Sequence, residues 1–153
     1  MVQIVAAEKG DWANWLPLWQ DYLTFYKQSL SDDITRLTFE RALDDGVPLY
    51  LLLAKSESIA PSENEILGFS FFVLHPSTWA RSGYCYLEDL FVADAARGQG
   101  VGRNLIEAVA ASAKTLGAER LYWVTDASNT KAQSLYATLA EKTDFIQYRR
   151  EIP

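Results

Sequence analysis

The sequence predicts a single mixed α/β domain, and three observations support this prediction. Short apolar segments typical of strands, such as residues 47–54, alternate with segments of helical periodicity. Residues 84–116 have the order strand, glycine-rich turn and amphipathic helix, and a further apolar strand follows at 121–125. A chain of 153 residues, 49% of them hydrophobic, can bury one core. We therefore expect one domain over residues 1–153, without repeats or a dividing linker.

The first half of the chain is predicted to form a strand, two helices and two more strands. Apolar residues recur at three- and four-residue spacing from Trp12 onward, with Asp11 as a candidate N-cap. Pro17 either kinks this helix or moves its start to about Leu16. Ser31 or Asp32 would cap the second helix. The predicted bounds are strands at 2–6, 47–54 and 66–74, helices at 12–26 and 33–44, and a polar hairpin loop at 55–65.

The second half is predicted to contain three strands and two helices. A strand at 84–92 feeds a polar, glycine-rich turn, and a helix at 101–116 ends at Gly117. Another helix starts at Asn129, and residues 145–152 have the pattern of a closing strand. The predicted order is β-α-α-β-β-β-α-β-α-β, in which residues 84–125 form a parallel strand-helix-strand unit.

Composition limits the classes of function. The net charge of −6 argues against non-specific nucleic-acid binding and suits a cationic substrate, although acidic surfaces also serve solubility alone. The single cysteine, Cys85, excludes an internal disulfide, and with one histidine, His75, a metal site would need mostly carboxylates. No segment has the pattern of a signal peptide or a membrane span. We expect a cytoplasmic protein without a metal and with no nucleic-acid or membrane partner.

The stretch around residues 88–105 predicts an anion site. Glycines there let the backbone approach a ligand closely, and a helix N-terminus favours negative charge. The Walker pattern fails because Gly102 is followed by Arg103 and Asn104, and the dinucleotide pattern fails because position 103 is not glycine. What remains is Arg97-x-x-Gly100-x-Gly102. This pattern resembles the acyl-CoA pyrophosphate loop of the GNAT superfamily of N-acetyltransferases.

The resemblance extends over nearly the whole chain. Asn129 near the start of the next αβ unit and Ala132-x-x-Leu135-Tyr136 are two further motifs of the family. The segment at 86–92 looks like the subgroup of fungal histone/polyamine-type acetyltransferases, and its Glu88-Asp89 pair resembles the spermidine/spermine acetyltransferases. The resemblance implies the GNAT fold, which is a central, twisted, mixed and mostly antiparallel sheet flanked by about four helices.

The resemblance also implies the roles of individual residues in binding acetyl-CoA. Main-chain groups of the strand would pair with the pantetheine arm, and N–H groups of the loop would hold the pyrophosphate. Asn129 would hydrogen-bond the arm or orient the following helix; it is equally a candidate N-cap. The strand residues implied are Leu90, Phe91 and Val92, and the loop residues are Arg97, Gly98, Gln99, Gly100, Val101 and Gly102.

For catalysis, the resemblance implies that Tyr136 protonates the leaving thiolate and that Glu88 accepts the amine proton, directly or through water. Tyr136 also fits a core position on its helix. Alternation along the strand places Glu88 on the face of Tyr84 and Tyr86, where it could equally be only an exposed carboxylate. Asp89 is predicted to face the other way and is the weaker candidate, for contact with the substrate.

Tyr26, with Asp32 and Asp33, is a further candidate for binding a cationic acceptor, because it offers a π face beside carboxylates. The function implied is direct transfer of acetyl from acetyl-CoA to the primary amine of a small amine, a polyamine, an amino acid or a lysine side chain. The alternatives are a non-catalytic acyl-CoA sensor on the same fold and an unrelated phosphate-binding α/β protein. A homodimer is expected, because a short C-terminal strand would leave a sheet edge to cover.

Overall fold

The computed structural model describes residues 1–57 and 65–153, and it confirms a mixed α/β fold. Most of the predicted hairpin loop, residues 58–64, lies outside the described residues. None of the helices in the described part is both long and apolar enough to cross a bilayer. The elements are β1 (Val2–Ala6), α1 (Trp12–Phe25), α2 (Asp32–Ala42), β2 (Leu49–Ser56), β3 (Ile66–His75), β4 (Tyr84–Val92), α3 (Val101–Thr115), β5 (Leu121–Tyr122) and α4 (Thr130–Tyr136).

The five strands form one sheet in the order β1-β2-β3-β4-β5. The pairs from β1 to β4 are antiparallel, whereas β4 and β5 are parallel and are joined through α3. This confirms the predicted run of antiparallel strands before the glycine-rich turn. β5 ends at Tyr122 rather than at the predicted position 125, so its pairing with β4 is short.

Two apolar layers hold the helices against the sheet. On one face, α1 packs Trp15 and Trp19 against Phe69 and Phe71 of β3, and all four side chains are buried. α3 packs Leu105 and its neighbours against the other face. Truncating a buried tryptophan in such a layer costs about 3–5 kcal/mol. The two layers therefore hold α1 and α3 on opposite faces of the sheet.

Burial of this aromatic stripe also explains why α1 continues through Pro17. The helix runs from Trp12 to Phe25, so the late start near Leu16 does not occur. Proline removes one helical hydrogen bond, but packing of an apolar face provides most of the stability of a helix in a protein.

Asp11 occupies the predicted N-cap position of α1 without capping the helix through its side chain. Its carboxylate instead forms an ion pair with Lys55 at 2.6 Å and accepts a hydrogen bond from the main-chain N–H of Glu8 at 2.8 Å. The carboxylate of Asp11 thus pairs with the partly buried ammonium of Lys55 on β2 instead of accepting hydrogen bonds from the N–H groups of α1. This pair ties the start of α1 to the neighbouring strand.

The described chain divides into two units, Met1–Trp123 and Val124–Pro153. In the second unit the predicted strand at residues 145–152 does not form, so that prediction is wrong. The apolar side chains of residues 145–152 are exposed. A strand forms where its main-chain N–H and C=O groups hydrogen-bond to a neighbouring strand. The exposed fractions are 87% for Phe145, 76% for Ile146, 90% for Tyr148 and 85% for Ile152.

Candidate functional site

A β-bulge in β4 determines how the Glu88-Asp89 pair is presented. Phe71 of β3 pairs with Asp89, and the next residue, Phe72, pairs with Leu87, so Glu88 is the extra residue. The bulge resets the alternation of side chains, and Asp89 takes the face that was predicted for Glu88. The prediction that Asp89 faces the other way is therefore wrong. Glu88 is exposed at the bulge, and Asp89 is partly buried towards α1.

Asp89 is held from two directions. The hydroxyl of Tyr22 on α1 donates a hydrogen bond to Asp89 Oδ1 at 2.5 Å. The hydroxyl of Ser70, which is fully buried on β3, donates to the main-chain oxygen of Asp89 at 3.0 Å. Burial raises the pKa of the Asp89 carboxyl to about 6, the charge of Glu88 adds to the rise, and the hydrogen bond from Tyr22 opposes it. A carboxyl that titrates near neutral pH is suited to exchanging protons with a substrate.

Sequence reasoning missed Tyr22. The phenol lies among aromatic rings, with centroid distances of 5.6 Å to Phe69 and 5.9 Å to Phe91. Burial and the nearby charge of Asp89 raise the pKa of Tyr22, so its hydroxyl stays protonated and remains a donor. The spacing of three residues from Trp19 predicts a place on the same apolar stripe, but periodicity carries no signal for a contact across 67 residues of sequence.

Tyr26 continues this aromatic group to the surface. Its ring packs edge-on against Tyr22 at 5.0 Å, and 44% of the residue is exposed. Tyr26 is therefore joined to Asp89 through Tyr22. Asp32 and Asp33 lie in the first turn of α2, where the helix dipole favours negative charge. Hydrogen bonds from Ser31 and the main chain lower the pKa of Asp33. Their grouping with Tyr26 around a ligand stays a prediction.

The glycine-rich turn after β4 leads into the N-terminus of α3. Gly98 and Gly100 have φ of 77° and 81°, and a Cβ at either position would meet open space. Their left-handed conformation, rather than packing, is therefore what requires glycine here. Gly100 is the N-cap, and the helix begins at Val101. The first N–H groups of an α-helix have no partner within the helix, so this end of α3 has the form of an anion site.

Arg97 braces the turn. Its Nε donates to the main-chain oxygen of Val92 at 3.2 Å, and its guanidinium pairs with Asp94 at 3.1 Å. The same group lies 5.7 Å from the ring centroid of Phe25 on α1 and 5.8 Å from that of Phe91. The side chain therefore ties the turn to both β4 and α1. Its predicted contact with a phosphate stays a prediction.

The C-terminal part of β4 extends beyond β5, its parallel neighbour in the sheet. The pairing of β4 with β5 covers Cys85 with Leu121 and Tyr86 with Tyr122, whereas β4 continues to Val92. Leu90, Phe91 and Val92, the strand residues predicted to bind the cofactor arm, lie on this continuation. Their main-chain groups on the side of β5 are the kind of edge that pairs with an extended ligand.

At the paired end of β4, histidine and tyrosine side chains form a hydrogen-bonded cluster. His75 Nδ1 contacts the carbonyl oxygen of Pro76 at 2.7 Å, and Nε2 contacts the Tyr122 hydroxyl at 2.6 Å. Because a carbonyl only accepts, Nδ1 donates, and Nε2 of the neutral ring accepts from Tyr122. Tyr122 also stacks on Tyr86 with centroids 5.0 Å apart. These contacts give His75 a structural role at the end of β3.

Cys85 is a buried strand residue, as predicted. It is fully buried, and burial raises the pKa of its thiol to about 11. A protonated, inaccessible thiol is a poor nucleophile. Among the residues that the structure describes, no three His, Cys, Asp or Glu side chains gather in a way that could hold a metal ion.

In the second unit, Asn129 is the N-cap of α4, and its side chain accepts a hydrogen bond from the main-chain N–H of Ala132 at 3.2 Å. This confirms the capping alternative for Asn129. Tyr136 is the last residue of α4 and is partly buried. The roles of both residues towards acetyl-CoA stay predictions.

Comparisons with known proteins agree with this geometry. The model of the acetyltransferase (GNAT) family matches residues 12–140. D-amino-acid N-acetyltransferase HPA3 of Saccharomyces cerevisiae is 36% identical over 149 residues, which cover 97% of this chain and 90% of that protein. Thialysine N-epsilon-acetyltransferase of Bos taurus is 32% identical over 144 residues, which cover 90% of this chain and 82% of the relative.

Solved structures have the same fold. The crystal structure of a probable acetyltransferase matches with a TM-score of 0.81 and 25% identity, covering 99% of this chain and 98% of the other. Aminoglycoside N-acetyltransferase AAC(6')-Iy in complex with CoA matches with a TM-score of 0.81 and 21% identity, covering 99% of this chain and 95% of that one.

Proposed function

Because the chain belongs to the GNAT acetyltransferase family and is an N-acetyltransferase, we propose that it transfers the acetyl group of acetyl-CoA to the primary amine of a small cationic acceptor. The observation that carries this proposal is the partly buried carboxyl of Asp89 on the part of β4 that extends beyond β5 and leads to the anion site of α3. The relatives named for D-amino acids and for thialysine support a small acceptor. The net charge of −6 favours a cation.

The fold offers acetyl-CoA two kinds of contact. The pyrophosphate would bind at Gly98–Gly102, where the turn and the first turn of α3 supply N–H groups and a favourable dipole. The pantetheine arm would run along the edge of β4 at Leu90, Phe91 and Val92, as an added strand does. A main-chain N–H of this strand would then donate to the thioester oxygen as negative charge develops there.

The reaction proceeds by direct attack of the amine on the thioester. A primary ammonium has a pKa of about 10.4, so a base must remove its proton near neutral pH. The pair Glu88-Asp89 supplies carboxylates for this step. Tyr136 donates a proton to the departing thiolate of CoA. Cys85 takes no part, because its thiol is buried.

A homodimer is a further part of the proposal. A second copy would cover the exposed apolar side chains of residues 145–152 and remove them from water. Light scattering at micromolar concentration tests this directly. A dimer mass that falls to a monomer mass when Tyr148 and Ile152 are changed to Ser is the expected result. A monomer of the unchanged chain would contradict it.

The test of the proposed activity is a thiol-release assay with acetyl-CoA against four groups of acceptors: diamines and polyamines, D- and L-amino acids, thialysine and a histone-tail peptide. We expect turnover with a small cationic amine or amino acid, and none with the peptide. Preferential turnover of the peptide would contradict the small acceptor. Tight CoA binding by calorimetry without turnover of any acceptor would contradict the catalytic function and favour an acyl-CoA sensor.

A further inference from the structure

We propose that Tyr22 positions Asp89 as the proton acceptor of the reaction, and that Asp89, rather than Glu88, takes the proton from the acceptor ammonium. This inference rests on the proposed acetyl transfer to an amine and assigns a role within that same site. It makes Tyr22 a positioning residue on α1, because its hydroxyl acts on the reaction only through the carboxylate of Asp89.

The position of Asp89 along β4 suits a proton acceptor. Asp89 lies three residues beyond Tyr86, the last residue of β4 that pairs with β5. It immediately precedes Leu90, where the main-chain edge proposed for the pantetheine arm begins. The bulge at Glu88 rotates Asp89 towards α1 and leaves Glu88 exposed. A carboxylate at this point is beside the strand edge along which the thioester would lie.

Two hydrogen bonds orient Asp89. Tyr22 donates to one oxygen of the carboxylate, Oδ1, at 2.5 Å. Ser70 fixes the main chain of the same residue at 3.0 Å. The other oxygen, Oδ2, receives no hydrogen bond from the described residues. Among these residues, Trp15 Nε1 is the one fully buried side-chain polar atom without a partner, so Oδ2 is not fully buried. Oδ2 is therefore the oxygen that can contact a substrate.

The groups around Asp89 act on its ionisation in opposite directions. Burial and the neighbouring Glu88 make ionisation of Asp89 harder, and Tyr22 makes it easier, which brings the pKa of Asp89 to about 6. From α1, the titratable groups that face it are Tyr22 and, behind Tyr22, Tyr26. The guanidinium of Arg97 lies over the ring of Phe91 on the same strand and is paired with Asp94. Glu88 is exposed, and among the described residues it has no hydrogen bond comparable to the one that Tyr22 donates to Asp89.

The acetylation of an ammonium by acetyl-CoA moves two protons off the nitrogen. Ionised Asp89 accepts one proton from the ammonium, and the nitrogen lone pair attacks the thioester carbonyl carbon. The C–N bond forms and the C–S bond breaks, and the CoA thiolate takes up one proton. The nitrogen loses its second proton as the amide forms; this proton returns through solvent to Tyr136, which protonated the thiolate, and Asp89 releases the first proton to solvent. One acetyl group moves, and one proton is released for each ammonium acetylated.

The test compares Tyr22→Phe, Asp89→Asn and Glu88→Gln with the unchanged chain, using kcat/KM for the best acceptor from pH 5 to pH 9. We expect an acid limb near pH 6 in the unchanged chain, because protonated Asp89 cannot accept the proton. Tyr22→Phe removes the hydrogen bond that favours the ionised form, so the limb moves up by about one pH unit and activity recovers at high pH. In Asp89→Asn, kcat/KM falls by about 100-fold or more at every pH, whereas Glu88→Gln retains the acid limb near pH 6.

The matched control is Tyr50→Phe, which removes a phenol on β2 that stacks on Phe72 and lies outside the site. Its acid limb should stay in place. A purely structural role for Tyr22 would lower kcat/KM equally at all pH values, without moving the limb, and would overturn the inference. An unmoved limb in Asp89→Asn together with its loss in Glu88→Gln would also overturn it.

A second measurement separates this inference from the proposed function. The carboxyl carbon of Asp89 is titrated by NMR with and without Tyr22→Phe, which needs no acceptor. If no amine is acetylated, the proposed function fails, and the inferred base role fails with it. The positioning contact is then still decided by the titration, because an upward shift of the Asp89 pKa in Tyr22→Phe supports it and an unchanged pKa refutes it.

Discussion

Replacing Asp89 by asparagine should make the protein more stable while it lowers the rate of acetyl transfer by about 100-fold or more. The pKa of the Asp89 carboxyl is raised from 3.8 in the unfolded chain to about 6 in the folded one. The folded state therefore binds this proton more tightly, so the contribution is stabilising at low pH and is lost as pH rises through about 6. From the two pKa values, ionised Asp89 costs about 3 kcal/mol at pH 7.5, and lowering the pH to 5 recovers about 1 kcal/mol.

The measurement is urea unfolding followed by the fluorescence of the five tryptophans, at pH 5 and pH 7.5. Asp89→Asn should raise the free energy of unfolding at pH 7.5 by about 1–3 kcal/mol, the lower end applying if the new amide N–H groups lack acceptors. In the unchanged chain, Asp89 adds about 1 kcal/mol to the free energy of unfolding when the pH is lowered from 7.5 to 5, and Asp89→Asn should lack this increase. The exposed Asp45→Asn serves as the charge-matched control and should leave the difference intact. Equal pH dependence in Asp89→Asn and the unchanged chain would refute a pKa of Asp89 that burial raises.

Three further predictions concern the cofactor site and the thiolate. Gly100→Ala places a side chain at φ 81°, which costs about 1–2 kcal/mol and should weaken CoA binding by calorimetry; unchanged affinity would argue against an anion site here. Gly68→Ala brings a Cβ to 2.7 Å from the Phe91 carbonyl oxygen, so it should lower Tm and raise the KM for acetyl-CoA together. Tyr136→Phe should lower kcat by about 100-fold at unchanged CoA affinity, and full turnover would exclude Tyr136 as the proton donor.

The fold was predictable where local pattern and packing agree. The apolar runs of β2, β3 and β4 and the periodicity of α3 are strong local signals, and the elements formed within a few residues of their predicted bounds. The segment at 145–152 has an equally good strand pattern and forms no strand, because the pattern states which face would be apolar and not whether a neighbouring strand is present. Whether such a segment becomes a strand at the edge of a sheet therefore depends on a neighbouring strand elsewhere in the chain, which the local sequence pattern does not contain.

The conformation of the glycine-rich turn was predictable from the sequence, whereas the orientation of the Glu88-Asp89 pair was not. Arg97, Gly100 and Gly102 carry a motif whose backbone requirement is local, and the structure gives Gly100 the left-handed conformation that the motif needs. The orientation of Asp89 depends on one extra residue in β4, which is set by pairing with β3 and leaves no mark on the alternation itself. The Tyr22 contact likewise follows from the packing of α1 on the sheet.

The most direct test of acetyl transfer is a single-turnover reaction with isotopically labelled acetyl-CoA and the best small amine, analysed by mass spectrometry of both product and intact protein. We predict one labelled N-acetyl group on the amine for each CoA released, and no acetyl group on the protein at any time point. An acetylated protein that forms and decays during the turnover would contradict direct attack. CoA release without a labelled amide would contradict the amine as the acceptor.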